Sequence, residues 1–313
     1  MNHPHHLDVV VAGLAVADII GRPVDPRSLP KRGGLKLIDS VTLATGGNVS
    51  NVGVDLAKLG FRVGVITRVG ADSLGRFITQ NYRALGMDTE GVIVDAKAQT
   101  SATMVTVDRS GERTFLHTRG CMKHFRASDV LDHLPLLRKA RILAFGYLGL
   151  LPETEREFKK LFQTLKLKTG LKILLDSAAS PRVSLQALKG FLPFVDYFFP
   201  SYEEAVMITK QKTPEAIIQY LRNAGASHVV GVKLNAKGCF IAARDRFEYV
   251  RPRRVARVID ATGAGDAFVA GFLGATLRGL DPFKAARVAN AVAADCVTAV
   301  GASTAIKPLQ QYM

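Results

Sequence analysis

Cysteine is scarce in this chain: three among 313 residues, Cys121, Cys239 and Cys296, far apart. That spacing offers neither a disulfide framework nor a zinc site, and it suits a reducing compartment. Long apolar runs are also missing. None reaches the ~20 residues that a bilayer-spanning helix needs, although 48% of the residues are hydrophobic and the mean hydropathy is +0.13. The opening MNHPHHLDVVVAG has no basic stretch followed by an apolar one and a small-residue cleavage site. A mature cytoplasmic protein is expected. No repeat period and no low-complexity segment is visible. What remains is a globular chain, read as one α/β domain over residues 1–313 with a small appendage.

Negative charge is short as well. Lys and Arg number 42 against 27 acids, a net charge of +15. Basic chains often meet nucleic acid or anionic surfaces. The densest cluster is RPRRVAR, with Arg251, Arg253, Arg254 and Arg257. No helix-turn-helix, zinc-finger or aromatic RNA-binding motif accompanies it. The charge therefore reads as a basic loop and strand on an enzyme with anionic ligands. A nucleic-acid-binding protein on the same fold is the alternative from another class, supported by charge alone.

The patterns that are present alternate. Strand-like runs are DVVVAG, RVGVITRVG, ARILAFG, KILLD, DYFFP and HVVGV. Helical patterns fall at 48–59, with Gly60 suited to its end, and at 73–85, 153–168, 202–209, 214–224, 266–278 and 282–300. Strands alternating with helices predict an α/β fold with a mostly parallel sheet covered on both faces. Two segments break the rhythm. Residues 14–44 are rich in Pro and Gly with short apolar patches. Residues 100–119 hold SATMVTVD and RTFLHT around a turn at Gly111. They predict a small β appendage. A weaker hairpin lies in GCFIAARDRFEYV.

The motif DATGAGDAF, at 260–268, carries the chemistry. The first N–H groups of a helix lack intrahelical partners, and the dipole adds positive charge there. Gly263 and Gly265 allow conformations and close approaches that a Cβ blocks. With Ala264 they make a main-chain anion site suited to a phosphoryl group. Asp266 either caps the helix or acts as a base beside the anion hole. Phosphoryl transfer needs that division of labour. No GxxxxGK[ST] loop occurs, and Phe268 stands where a GxGxxG fingerprint needs its third glycine. A second motif, GGNVSNVGVDLAKLG at 46–60, sets Gly47, Asn48 and Asn51 at a helix start. It reads as a capped turn, or as amides and close-approaching backbone offered to hydroxyls.

Together the two motifs resemble the signatures of the ribokinase, or PfkB, family of carbohydrate kinases. GLAVAD, GADSLG, SGERTF and VGAST fall in the order that resemblance requires. It implies a Rossmann-like α/β domain, with its mostly parallel central sheet flanked by helices, and a small β-sheet lid, formed from about 14–44 and 100–119, over a sugar. It implies transfer of the γ-phosphoryl of ATP, with Mg²⁺, to a hydroxyl of a sugar or sugar acid that is fructose-, ribose- or 2-keto-3-deoxygluconate-like. By resemblance Asp266 is the base, and Gly263, Ala264 and Gly265 form the anion hole. Asp18, Gly47, Asn48 and Asn51 are sugar contacts. Lys233, Asn235, Gly238 and Asn290 lie on the nucleotide side. Asn235 replaces a frequent glycine, and asparagine tolerates the left-handed turn. Glu204 is linked indirectly to Mg²⁺, with Ser201 where members have Asn. Asp260 marks a site at which some members bind K⁺; it also suits a turn cap. Arg113 either meets an acidic or phosphorylated sugar or faces solvent. Asn48 in place of Lys, and Tyr147 and Leu148 in place of a Glu region, argue against ribose itself. A nucleoside is the alternative acceptor. A homodimer through the lid is the expected assembly, since exposed edge strands are ready to pair.

Overall fold

The computed structural model describes residues 6–178 and 183–313. Residues 1–5 of the opening stretch read above lie outside them. Nine strands form the main sheet, in the spatial order Arg246–Val250, Cys239–Ala243, Val229–Lys233, Tyr197–Phe198, Lys172–Ser177, Ile142–Leu148, Val9–Gly13, Val63–Gly70 and Asp88–Asp95. All pairs are parallel except the two made by Cys239–Ala243. The Cys239 hairpin thus extends the parallel sheet at one edge.

Successive strand residues serve opposite faces, as the pleat dictates. Val9 and Val11 join a core with the helices Gly47–Lys58, Ala264–Leu277 and Pro282–Cys296. Val10 and Ala12 join a second core with Phe158–Thr169, Leu185–Phe191 and Pro214–Asn223. Strands buried on both faces read as continuous apolar runs, which is why VVVAG and KILLD were legible. A separate four-stranded sheet has the order Ser40–Gly46, Val16–Arg22, Ala102–Val107, Arg113–Thr118.

Several elements differ from expectation, among them the helix Leu185–Phe191, which was not foreseen. The strand Asp88–Asp95 was unrecognised, because Asp88, Glu90 and Gly91 are poor strand formers at a sheet edge. The helix read at 153–168 is two pieces, Pro152–Glu155 and Phe158–Thr169. The helix read from 266 begins at Ala264, so Asp266 lies inside its first turn. The last helix ends at Cys296 rather than 300.

Candidate active site

Gly263 is the residue that opens the helix Ala264–Leu277. Its φ is +77°, and a Cβ there would lie 2.4 Å from the Ala302 Cβ. Both conditions call for glycine. No side chain caps this helix, so its first turn presents N–H groups outward. That of Ala264 closes a turn on the Ala261 carbonyl at 3.3 Å. A Cβ on Gly265 would stand 3.3 Å from the Lys233 ammonium nitrogen. Glycine here lets a positive charge come close to the helix start.

Asp266 is 6% exposed. It does not cap. Its Oδ2 accepts from Asn51 Nδ2 at 2.8 Å, and both its oxygens accept from the Tyr147 hydroxyl at 2.8 Å. Asn51 comes from the helix Gly47–Lys58 and Tyr147 from the strand Ile142–Leu148. Three elements therefore converge on one carboxylate. Burial pushes its pKa upward, against the lowering effect of Asn51, Tyr147 and the Lys233 charge. A carboxylate with raised proton affinity, held by two donors, suits a general base.

Asp266 opens onto a cavity of about 870 Å³, a size typical of ligand sites. Gly265, Lys233, Asp176 and Glu204 line it. Lys233 Nζ donates to Asp176 Oδ1 at 2.8 Å. Burial pushes Asp176 up to about 7, against the pull of Lys233. For Lys233, burial favours the neutral form, yet the charges of Asp176, Glu204 and Asp266 outweigh it and raise its pKa. Sequence reasoning missed Asp176 as a site residue. Its signal was an acid at the carboxyl end of the strand read as KILLD, where open α/β sheets bind ligands.

Glu204 sits in the first turn of the helix Tyr202–Thr209. Its Oε2 accepts from Ser201 N at 2.9 Å and from Ser177 Oγ at 2.8 Å, while Ser201 Oγ accepts from Glu204 N at 3.3 Å. Ser201 thus completes a capping box. Asn235 adopts φ +53°, the left-handed turn expected of it, and its Nδ2 donates to Glu203 Oε1 at 2.9 Å. Gly238 lies against the Val250 carbonyl, 2.2 Å from where a Cβ would be. Asn290 Nδ2 donates to the Val250 and Arg251 carbonyls at 3.1 and 3.0 Å. These contacts fix the start of the basic stretch, of which Arg253 and Arg254 line the cavity. Part of the positive charge therefore faces a ligand space.

The second motif packs beneath the small sheet. Gly47 has φ +81°, and a Cβ would lie 2.3 Å from the Leu14 carbonyl oxygen. Asn48 spends its amide on the backbone: Oδ1 accepts from Leu14 N at 2.8 Å and Nδ2 donates to Ala12 O at 3.0 Å. It braces the strand end, whereas Asn51 reaches Asp266. Asp18 lies against Gly46, where a Cβ would meet its Oδ2 at 2.2 Å. Burial pushes Asp18 up to about 6, against a Thr103 hydrogen bond and the Arg113 charge. Arg113 does not face solvent. Its guanidinium donates to Asp260 Oδ2 and to Thr262 Oγ1. Asp260 Oδ1 accepts from Thr262 N at 2.9 Å, so it also caps the turn.

A doubly covered parallel sheet, a glycine-opened helix start and a buried carboxylate beside a buried lysine together suit phosphoryl transfer to a small alcohol. The chain belongs to the pfkB family of carbohydrate kinases: a model described as pfkB family carbohydrate kinase matches residues 6–308. Its reaction is the ATP-dependent phosphorylation of a sugar. A 2-dehydro-3-deoxygluconokinase of Bacillus subtilis is 28% identical over 289 residues, covering 86% of this chain and 85% of that one. A ribokinase of Haemophilus influenzae is 27% identical, covering 87% of each. Among solved structures, Arabidopsis thaliana ribokinase complexed with ribose and ATP aligns with a TM-score of 0.81 at 25% identity, over 98% of this chain and 97% of that one.

Proposed function

We propose that Asp266 takes the proton from the acceptor hydroxyl while main-chain N–H groups at Gly263 and Gly265, that of Ala264 once it exchanges the Ala261 carbonyl for a phosphoryl oxygen, and the Lys233 ammonium hold the transferring phosphoryl group. The observation that carries this reading is the Asp266 carboxylate itself. It stands at an uncapped helix start, held by Asn51 and Tyr147, with its face to the cavity. Asn51 and Tyr147 orient it. Asp176 holds Lys233. Asn235, Gly238 and Asn290 shape the nucleotide end.

The acids lining the cavity suit Mg²⁺ brought in by the nucleotide rather than a metal site of the protein's own. Asp176, Glu204 and Asp266 are close enough that their charges bear on one another, with Lys233 as the cation among them. A bare polyphosphate would be repelled there, and Mg²⁺ carried on its oxygens would not. Glu204, fixed by Ser177 and Ser201, would hold the ion through water. When bound, Mg²⁺ neutralises charge on the phosphates. Among the described residues, no group of three or more His, Cys, Asp or Glu could hold a metal ion. A metal that arrives with the nucleotide needs none.

The small sheet is the lid, and its two faces differ. Asp18, Thr103 and His117 form one row across three strands, with Thr103 Oγ1 and His117 Nδ1 3.0 Å apart. This row meets the sugar. It presents an acid, while Arg113 is engaged by Asp260. A neutral, hydroxyl-rich sugar of the fructose type therefore fits better than a sugar acid. A panel of fructose, ribose, 2-keto-3-deoxygluconate and adenosine, followed by ADP release, tests this. The expected result is a kcat/KM for a neutral sugar about tenfold or more above that for the acid. The KM for that sugar should rise as pH falls below about 6, because protonated Asp18 loses acceptor capacity. A preference for the acid, or for adenosine, would overturn the assignment.

The opposite face carries Leu43, Met104 and Leu116 in one row with Ile19, the first three exposed. An exposed apolar row on a sheet is suited to a second copy of itself. The protein is accordingly read as a homodimer through the lid. Light scattering should give a dimer mass for the wild type and a monomer mass for Met104→Lys/Leu116→Lys. A monomeric wild type at micromolar concentration refutes it. Among the described residues no helix is long and apolar enough to cross a membrane, and the cytoplasm is the proposed location.

A further inference from the structure

We infer that Arg113 takes the place of a monovalent cation at Asp260, so that lid closure rather than potassium supplies the positive charge behind the anion hole. Asp260 lies three residues before Gly263. Its Oδ1 accepts from Thr262 N at 2.9 Å and its Oδ2 from Gly301 N at 2.8 Å. The Arg113 guanidinium completes the set, with one nitrogen on Oδ2 and another on Thr262 Oγ1. The side chains are 16% and 6% exposed, so water screens the pair poorly. Burial alone would push the Asp260 pKa up, but the Gly301 and Thr262 hydrogen bonds and the Arg113 charge outweigh it and hold the pKa below its usual value.

A monovalent cation needs carboxylate and carbonyl oxygens that no other cation has claimed. Here the loop's carboxylate is already bonded by a guanidinium, and a potassium ion beside it would meet like charge. The residues present do not fit that ion. The source of the substitute matters. Arg113 belongs to the lid strand Arg113–Thr118, and Asp260 and Thr262 to the loop that opens the helix Ala264–Leu277. The fork can close only when the lid lies over the site. An open lid leaves Asp260 uncompensated three residues from the N–H groups that must receive a phosphoryl group. A closed lid cancels it. Phosphoryl transfer and enclosure of the acceptor are thereby tied to one contact.

The test compares KCl with choline chloride at equal ionic strength. The first readout is thermal unfolding without substrates, which does not depend on the kinase reading. The wild-type midpoint should be the same in both salts, and Arg113→Met should melt lower in choline chloride and regain stability in KCl, as a bound ion stabilises by mass action. The second readout is turnover, which rests on that reading. Wild-type turnover should be equal in the two salts. Arg113→Met should lose about tenfold or more in choline chloride and recover with KCl or added guanidinium. Arg113→Lys, which keeps the charge, should stay salt-independent. A wild type whose midpoint is several degrees higher in KCl, or whose turnover rises severalfold with it, overturns the inference, with no variant needed. So does an Arg113→Met protein that matches the wild type in choline chloride. Absence of turnover on every acceptor would sink the kinase reading and leave the melting comparison standing.

Discussion

Replacing Asp266 with Asn is expected to lower kcat by roughly 10³-fold, within the range that a positioned general base contributes. The substitution preserves shape and keeps one oxygen for the Asn51 and Tyr147 donors. It removes the charge that accepts the proton. Nucleotide affinity should change little, because the cavity wall loses no cation and the helix start is untouched. Stability should hold or rise. Asp266 is buried, and burying an ionised carboxylate is costly; the amide escapes that cost. Steady-state rates, a nucleotide titration and a melting curve on one preparation separate these effects. Turnover equal to that of the wild type would remove Asp266 from the role of base. A collapse in nucleotide binding would show that its part is architectural.

Lys233→Met is expected to reduce kcat by about 10²- to 10³-fold, the usual cost of losing one donor to a developing oxyanion. Two further consequences distinguish charge from packing. Lys233 lowers the pKa of Asp266. A base acts in its deprotonated form, so activity rises with pH through its pKa. Removing Lys233 raises that pKa and moves the acid limb of kcat/KM to higher pH. Asp176 also loses its partner. Its carboxyl, already pushed up to about 7 by burial, would take up a proton or remain as an unpaired charge. Breaking a buried pair this way costs about 3–5 kcal/mol. Asp176→Asn/Lys233→Met should recover most of that stability and none of the turnover. A double variant that regains activity would show that Lys233 merely balances Asp176. An acid limb that does not move would show that its charge is not felt at Asp266.

The helix start at Gly263 was legible because its requirement is local. A positive φ at the residue before the helix selects glycine locally, and the approach of Ala302 from later in the chain only reinforces it. The parallel strands were legible for a related reason, since burial on both faces leaves an uninterrupted apolar run. The strand Asp88–Asp95 was not, because an edge strand tolerates acids and a glycine that a central strand would exclude. Asn48 and Asn51 illustrate a different limit. Both are amides in one turn of one helix, and the sequence treats them alike. Only packing shows that Asn48 is consumed by the ends of Leu14 and Ala12 while Asn51 reaches a carboxylate 215 residues away.

The sequence by itself determined the fold class, the glycine-opened helix start and the family. Each depends on short-range spacing, and backbone geometry acts over a few residues. The tertiary structure alone decided which side chains surround Asp266. Tyr147 comes to it from the centre of the sheet, Lys233 stands beside Gly265 with Asp176 behind, and Arg113 crosses from the small sheet to Asp260. Those choices depend on the free energy of burying charge, and a charge is buried only where distant segments bring it a partner.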